Sequence, residues 1–496
     1  MNKEKHERTE RKATYMESLL VVVFMLVVVT GGYIIFNLKV ELLMIVAATF
    51  AAVMAYRIGI GWTEMENAIA DKLRSSMTAI FIIWSIGIVI GSFIFCGSIP
   101  WIIYLGLKMI HPTYIYLFAF LTCLVLSVVT GTSWGSAGTA GVALMGVAMG
   151  LDANLAITAA AVVCGSVFGD KMSPLSDTTN LSSICSGATL YEHIRSMCWT
   201  TFPSAVISAI LFFIMGMKEH ISGAQGLPEQ AQQMVDSLSS LFKWNWVLII
   251  PFLIILVGAV IKKPPVPTMI ISGFVAIIIG VFYQGFSIEA GFIASINGFT
   301  TDLISDNEVG EALTTLLTRG GMKSMVGIVV MIFAGYAFAG ICGRAGFIEI
   351  VLAPLMEKTQ SRGILVASTL FTSFLMLCCS GITYVAFIIC GDMFKKKYFE
   401  KNLHPRVLSR IMEDAATCMA PLVPWGTSGL YYASVLGVAV FGVGGAAGYA
   451  PYAFFTYLTP LISLIFGFTG IAMFKMNREQ RKEVAGRLNI VNDDEI

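Results

Sequence analysis

Charge is scarce in this sequence: 13% of its 496 residues are Asp, Glu, Lys or Arg, while 56% are hydrophobic. The mean hydropathy of +0.79 lies far above that of water-soluble globular chains, so a soluble fold is excluded. Net charge is only +1, and the lysines and arginines sit at the ends of apolar runs, which removes nucleic acid as a partner. There is no His-Glu-x-x-His pair for zinc, no Gly-x-x-x-x-Gly-Lys-Ser/Thr phosphate loop and no nucleophile with a nearby base. The chain is therefore expected to be neither an enzyme nor ATP-driven, and to need no cofactor. Its ten cysteines lack metal-ligand spacing and read as small packing residues. The five histidines, His6, His111, His193, His220 and His404, fall between apolar runs and read as solvated or interfacial.

What is abundant is apolar sequence. Runs such as Leu19 to Phe36 and Ser324 to Cys342 approach the roughly 20 residues that cross a hydrocarbon core, and spans of that kind must be helices. Periodicity predicts spans at 17–36, 39–59, 77–97, 154–190, 197–217, 244–261, 266–285, 325–343, 403–438 and 450–473, with further apolar regions at 112–150 and 363–394. Two amphipathic pieces, Trp62 to Ser76 and Glu308 to Lys323, are expected to lie along the interface.

The chain also repeats itself. Met172-Ser-Pro-Leu175 returns as Met419-Ala-Pro-Leu422, Ser75-Ser-Met77 as Lys323-Ser-Met325, and Asn154-Leu155 as Asn402-Leu403, all at offsets of 247 or 248 residues. Two related halves follow. Lys3, Lys5, Arg8, Arg11 and Lys12, the Lys262-Lys263 pair, Lys395 to Lys397, and Lys475, Arg478, Arg481 and Lys482 all belong on the cytoplasmic side. That works if 112–150 and 363–394 are hairpins that enter and leave on one face. The expected architecture is an all-α polytopic membrane protein of two inverted repeats, each with about five transmembrane helices, a re-entrant hairpin and a broken helix at the midplane. It divides into a cytoplasmic tail (1–16), a first repeat (17–217), an external linker (218–243), a second repeat (244–473) and a cytoplasmic tail (474–496). Both termini are expected in the cytoplasm of a bacterium or archaeon, with the chain in its cell membrane and a homodimer left open.

Chemistry concentrates at Gly169-Asp-Lys-Met-Ser-Pro-Leu-Ser-Asp-Thr-Thr-Asn180, where three ionisable groups interrupt an apolar helix. Each would cost about 2.5–3.5 kcal/mol at the bilayer centre unless compensated. Lys171 is the expected charge partner of Asp170 or Asp177, and Pro174 should open the helix between about Lys171 and Asn180. Oxygens of Ser173, Ser176, Asp177, Thr178, Thr179 and Asn180 then suit a hard cation, with Na+ expected at Asp177, Thr178 and Asn180. The same carboxylates can hold a proton, and competition between the two ions is an antiport mechanism. Upstream, Thr130 to Thr139 reads as a hairpin tip in which Gly131 turns the chain and Thr132 and Ser133 present oxygens inward. In the second half Glu413 and Asp414 precede Pro421 and Pro424; Asp414 and Thr417 are the counterpart ion or proton positions, Glu413 is read as a partner of Arg406 or Arg410, and the matching tip lies near Cys379 to Thr383.

With these motifs in view, "GDKMSPLSDTTN", "GTSWGS" and "MEDAATCMAPLVPWGTSG" together resemble the NhaC family of bacterial Na+/H+ antiporters, over nearly the whole membrane portion. The resemblance implies an inverted-repeat secondary transporter that exchanges cytoplasmic Na+ for external H+, with Asp170, Ser173, Asp177, Thr178, Thr179 and Asn180 as motif residues. It also brings an alternative, since some relatives exchange organic acids of the malate and lactate type. Lys171, the sole cation read as deep in the membrane, leaves little to hold such an anion.

Overall fold

The computed structural model describes residues 10–36, 38–219, 229–261, 263–304, 314, 317–357, 361–442 and 446–488. Lys3, Lys5, Arg8, His6, His220 and Lys262 lie outside the described residues, as do 308–313, 315 and 316 of the second amphipathic piece.

The described chain is helical. The first half runs through α1 (Tyr15–Ile34), α2 (Val40–Arg57), α3 (Trp62–Phe95), α4 (Ser98–Met109), α5 (Ile115–Thr130), α6 (Ser133–Ser136), α7 (Val142–Gly150), α8 (Leu155–Met172), α9 (Asp177–Ser186) and α10 (Leu190–Lys218). After α11 (Glu229–Leu241), the second half contributes α12 (Ile250–Val260), α13 (Pro265–Ile279), α14 (Ile288–Asn297), α15 (Val326–Ala345), α16 (Phe347–Glu357), α17 (Arg362–Ser380), α18 (Thr383–Glu400), α19 (Pro405–Met412), α20 (Thr427–Leu436) and α21 (Phe454–Thr469). A last helix, α22 (Arg478–Arg487), is polar. Among the described residues there is no strand, only two isolated bridges, and eight helices are long and apolar enough to cross a membrane, or up to ten with two bent pairs.

Two expected pieces change form. Trp62 to Ser76 is not a separate interfacial helix; it runs on into α3 without a break, because no Pro or Gly separates it from the apolar stretch beyond. The span expected over 154–190 is two helices. Ser173, the residue before Pro174, is extended (φ −76°, ψ 130°), as the proline ring demands of its predecessor. The opening is only Ser173 to Ser176, shorter than expected, and Asp177 to Asn180 are helical again.

The core is built around α8, whose span is 83% buried against 33% for α5 and α1. Gly165 and Gly169 let α8 press against α5: a β-carbon added there would meet the Phe120 carbonyl oxygen at 2.2 Å and the Val128 nitrogen at 2.3 Å.

Backbone landmarks recur between the halves at 250 residues. Left-handed positions pair as Gly131 with Gly381, Asp152 with Asn402 and Gly187 with Gly437. Asn154 caps α8 and His404 caps α19. Val423, extended before Pro424, matches Ser173 before Pro174. The structural mate of Pro174 is thus Pro424, not Pro421, three residues from the sequence match. Pro421 has another effect. Its ring crowds the carbonyl of Thr417, four residues back, and Glu413 to Thr417 form a π turn.

Candidate ion-binding site

At the first opening, Asp170 lies in the last turn of α8 and faces the hairpin tip. Gly131 reverses the chain with φ +71°, Thr132 caps α6 by accepting the Gly135 amide at 3.3 Å, and Ser133 is thereby turned toward α8. Ser133 Oγ donates to Asp170 Oδ2 at 2.8 Å and Ser176 Oγ donates to Oδ1 at 2.6 Å. Thr178 joins through its hydroxyl, 2.9 Å from that of Ser176. Asp177, the first residue of α9, is exposed. Tyr384, at the start of α18, lies within electrostatic reach of both aspartates and of Glu413.

The other motif residues serve the backbone. Asn180 Nδ2 donates to the carbonyls of Pro174 at 3.1 Å and Ser176 at 2.7 Å, and Thr179 Oγ1 donates to those of Asp170 at 3.0 Å and Lys171 at 2.9 Å. Ser173 Oγ accepts the Leu175 amide at 3.3 Å. These bonds hold the opened ends in register and engage the backbone carbonyls of Asp170, Lys171, Pro174 and Ser176.

Across the bundle, the π turn brings two successive acids inward, since widening the helical turn rotates Glu413 and Asp414 relative to the residues before them. Both are fully buried. Lys171, also fully buried, donates to Asp414 Oδ1 and lies 3.8 Å from the Cys418 sulfur. Its partner is therefore Asp414 of the other half, neither Asp170 nor Asp177: Lys171 follows Asp170 directly in α8, and successive side chains on a helix point in different directions. Thr200 of α10 donates a second bond to Asp414 Oδ1 at 3.0 Å.

Glu413 is not a partner of Arg406 or Arg410 either. Its Oε1 accepts from Ser182 Oγ of α9 at 3.1 Å, while Arg410, a second buried cation in addition to Lys171, donates to the Ala472 carbonyl at 3.0 Å. Thr417 sits beside Glu413 but outside hydrogen-bond geometry. Glu413 Oε2 and Asp414 Oδ2 have no hydrogen-bond partner among the described residues.

His193 departs furthest from its sequence reading. It lies in α10, fully buried, with Nε2 3.1 Å from Ser182 Oγ and Nδ1 2.8 Å from Ser409 Oγ. His404 is also buried, as the cap of α19, with Nε2 3.5 Å from Glu192. A signal for the first was present in the sequence: His193, Ser196, Thr200, Ser204 and Ser208 recur every three or four residues and form one buried polar stripe along α10. Of the expected tip residues in the second half, Ser380 bonds locally to the Met376 and Ile382 carbonyls, at 2.7 and 3.1 Å.

Buried carboxylates, hydroxyl donors and two opened helices at the centre of an apolar helical bundle define an ion-transporting membrane protein. The model of the Na+/H+ antiporter family matches residues 165–471, which include both openings. The chain belongs to the Na+/H+ antiporter family. It is 41% identical over 431 residues to an uncharacterized Na+/H+ antiporter of Haemophilus influenzae, covering 86% of this chain and 92% of that one. The Na+/H+ antiporter NhaC of Alkalihalophilus pseudofirmus is 35% identical, over 87% of this chain and 92% of its own. A malate-2H+/Na+-lactate antiporter of Bacillus subtilis is 33% identical, over 87% and 91%. The chain is thus a multi-pass membrane antiporter.

Proposed function

We propose that this protein exchanges cytoplasmic Na+ for external H+ by alternating access of two inverted halves in the cell membrane, with both termini in the cytoplasm. The observation that carries this reading is a charge imbalance. Asp170, Glu413 and Asp414 lie inside the bundle around the two openings, with Asp177 exposed beside the first, while the cations packed with them are Lys171 and Arg410. Uncompensated buried charge is costly, so the surplus carboxylate must take up a proton or a cation. The Na+ site is assigned to the first opening: Asp170 supplies the charge, Ser133, Ser176 and Thr178 supply hydroxyl oxygens, and Asp177 attracts the ion from the exposed side. Asp414, engaged by Lys171, is a counter-charge in this scheme, and Glu413 takes the proton.

The test is 22Na+ uptake into proteoliposomes driven by an outward-directed proton gradient. Wild type should accumulate Na+ without any organic acid present, and Asp170→Asn should abolish uptake while leaving expression and thermal stability near wild type. The malate/lactate relative favours a second reading, Na+-coupled exchange of organic acids, and Arg410 adds a buried cation that could serve it. Both buried cations are engaged, Lys171 by Asp414 and Arg410 by the Ala472 carbonyl, which ranks this reading lower. A strict requirement for malate or lactate in the uptake assay would reverse the ranking.

A further inference from the structure

Glu413, Ser182, His193 and Ser409 form one continuous hydrogen-bonded chain. The steps are 3.1 Å from Glu413 Oε1 to Ser182 Oγ, 3.1 Å from Ser182 Oγ to His193 Nε2 and 2.8 Å from His193 Nδ1 to Ser409 Oγ. The outer end continues to the Arg406 carbonyl, 3.2 Å from Ser409 Oγ. All four side chains are fully or almost fully buried, so water does not compete for these bonds. Three helices contribute (α9, α10 and α19), together with the π turn.

Every link in this chain can be satisfied in two opposite directions. In the first, Ser409 donates to Nδ1, Nε2–H donates to Ser182, and Ser182 donates to the ionised Glu413. In the second, protonated Glu413 donates to Ser182, Ser182 donates to Nε2, Nδ1–H donates to Ser409, and Ser409 donates to the Arg406 carbonyl. The two differ by one proton. When a proton is delivered to Ser409, which is itself buried in this conformation, Ser409 gives its own to Nδ1, Nε2 gives its proton to Ser182, and Ser182 gives its proton to Glu413. The three intermediate residues end neutral, as they began.

We propose that His193 relays protons between Glu413 and the end of α10 and α19 that carries Glu192, His404 and Arg406, while Na+ uses Asp170. The two ions would thus follow different side chains. The geometry around His193 fits passage of a proton without a lasting imidazolium: the ring is fully buried and each of its nitrogens faces a serine hydroxyl, so the two tautomers can exchange in place. Glu413 at the inner end receives what passes.

The inference rests on the antiport reading, and two transport modes in the same proteoliposomes separate them. Proton-gradient-driven 22Na+ uptake needs both ions, whereas 22Na+/Na+ exchange at equal pH needs only the cation path. His193→Gln can bond both serines but cannot pass a proton, so gradient-driven uptake should fall by about tenfold or more while Na+/Na+ exchange keeps its wild-type rate. Ser182→Ala, which opens the chain with a smaller change, should split the modes in the same sense and decides the matter should His193→Gln not be recovered in folded form. Equal loss of both modes, or gradient-driven uptake at the wild-type rate, overturns the relay alone. Wild type that exchanges Na+ but ignores the proton gradient overturns the antiport reading, and the relay with it.

Discussion

The two opened helices share a backbone and differ in where they put their charge. In α8–α9 the acid stands at the opening itself: Asp170 is three residues before the extended Ser173 and takes two hydroxyl donors. In α19–α20 the acids lie in the π turn, well before the extended Val423, and Gly426 and Thr427 stand at the opening where the first half has Ser176 and Asp177. Lys171 of the first half then neutralises Asp414 of the second. A repeat can thus conserve a turn while splitting the chemistry, with one half holding a polar, reachable carboxylate and the other a dry, paired one. The halves depend on each other electrostatically even though each carries its own opening.

Removing that dependence should have the largest effect. Lys171→Met strands Asp414 and should cost about 3–5 kcal/mol of stability, seen as a lowered melting temperature in detergent together with lost transport. Asp414→Asn in the same chain should recover much of that stability. Equal melting of the single and double variants would show that the pair does not couple the halves.

The hairpin tips sharpen the comparison at intermediate size. Both Gly131 and Gly381 are left-handed, which costs a non-glycine residue about 1–2 kcal/mol. At Gly381 a β-carbon finds its nearest neighbour at 3.5 Å, but at Gly131 it would meet Leu175 Cβ at 2.6 Å and the Leu175 carbonyl carbon at 2.9 Å. Gly381→Ala should therefore cost only the backbone strain, whereas Gly131→Ala must also push the first opening apart. Thermal melting and 22Na+ uptake of the pair measure this difference, and equal penalties would mean that the first tip is not pressed against the opening.

The smallest effect is expected at Asp177. It is exposed, and in the proposed scheme it only guides an ion that Asp170 holds, so Asp177→Asn should raise KM for Na+ by at most about fivefold with little change in the maximal rate. Complete loss of transport would make Asp177 the primary ligand and exchange the two aspartates' roles.

Much of this was legible in the residues. Apolar runs bounded by charge marked the spans, Pro174 marked the first opening and the pair Pro421 and Pro424 the neighbourhood of the second, and Gly131 with Gly381 marked the tips. Asp170, Ser133, Ser176 and Thr178 were each picked out because they stand close in sequence to a proline or glycine that bends the chain, but the sequence put the ion at Asp177, Thr178 and Asn180, and only the structure brings Ser133 and Ser176 to Asp170. His193 and Ser182 were missed because a short-range reading takes a histidine beside charged residues for a surface group; the polar stripe along α10 needed the helical period to be followed over four turns.

Taken alone, the sequence determined that this chain is a helical membrane protein, roughly where prolines open its helices, and that acids and hydroxyls gather near the first of those points, because hydrophobic length, proline geometry and left-handed glycines act over a few residues. Only the tertiary structure decided which charges meet. Lys171 and Asp414 are 243 positions apart in the chain, and Glu413 and Ser182 are 231 apart. Their pairing follows from how helices pack and from a π turn that rotates two acids inward, and no local rule carries that information.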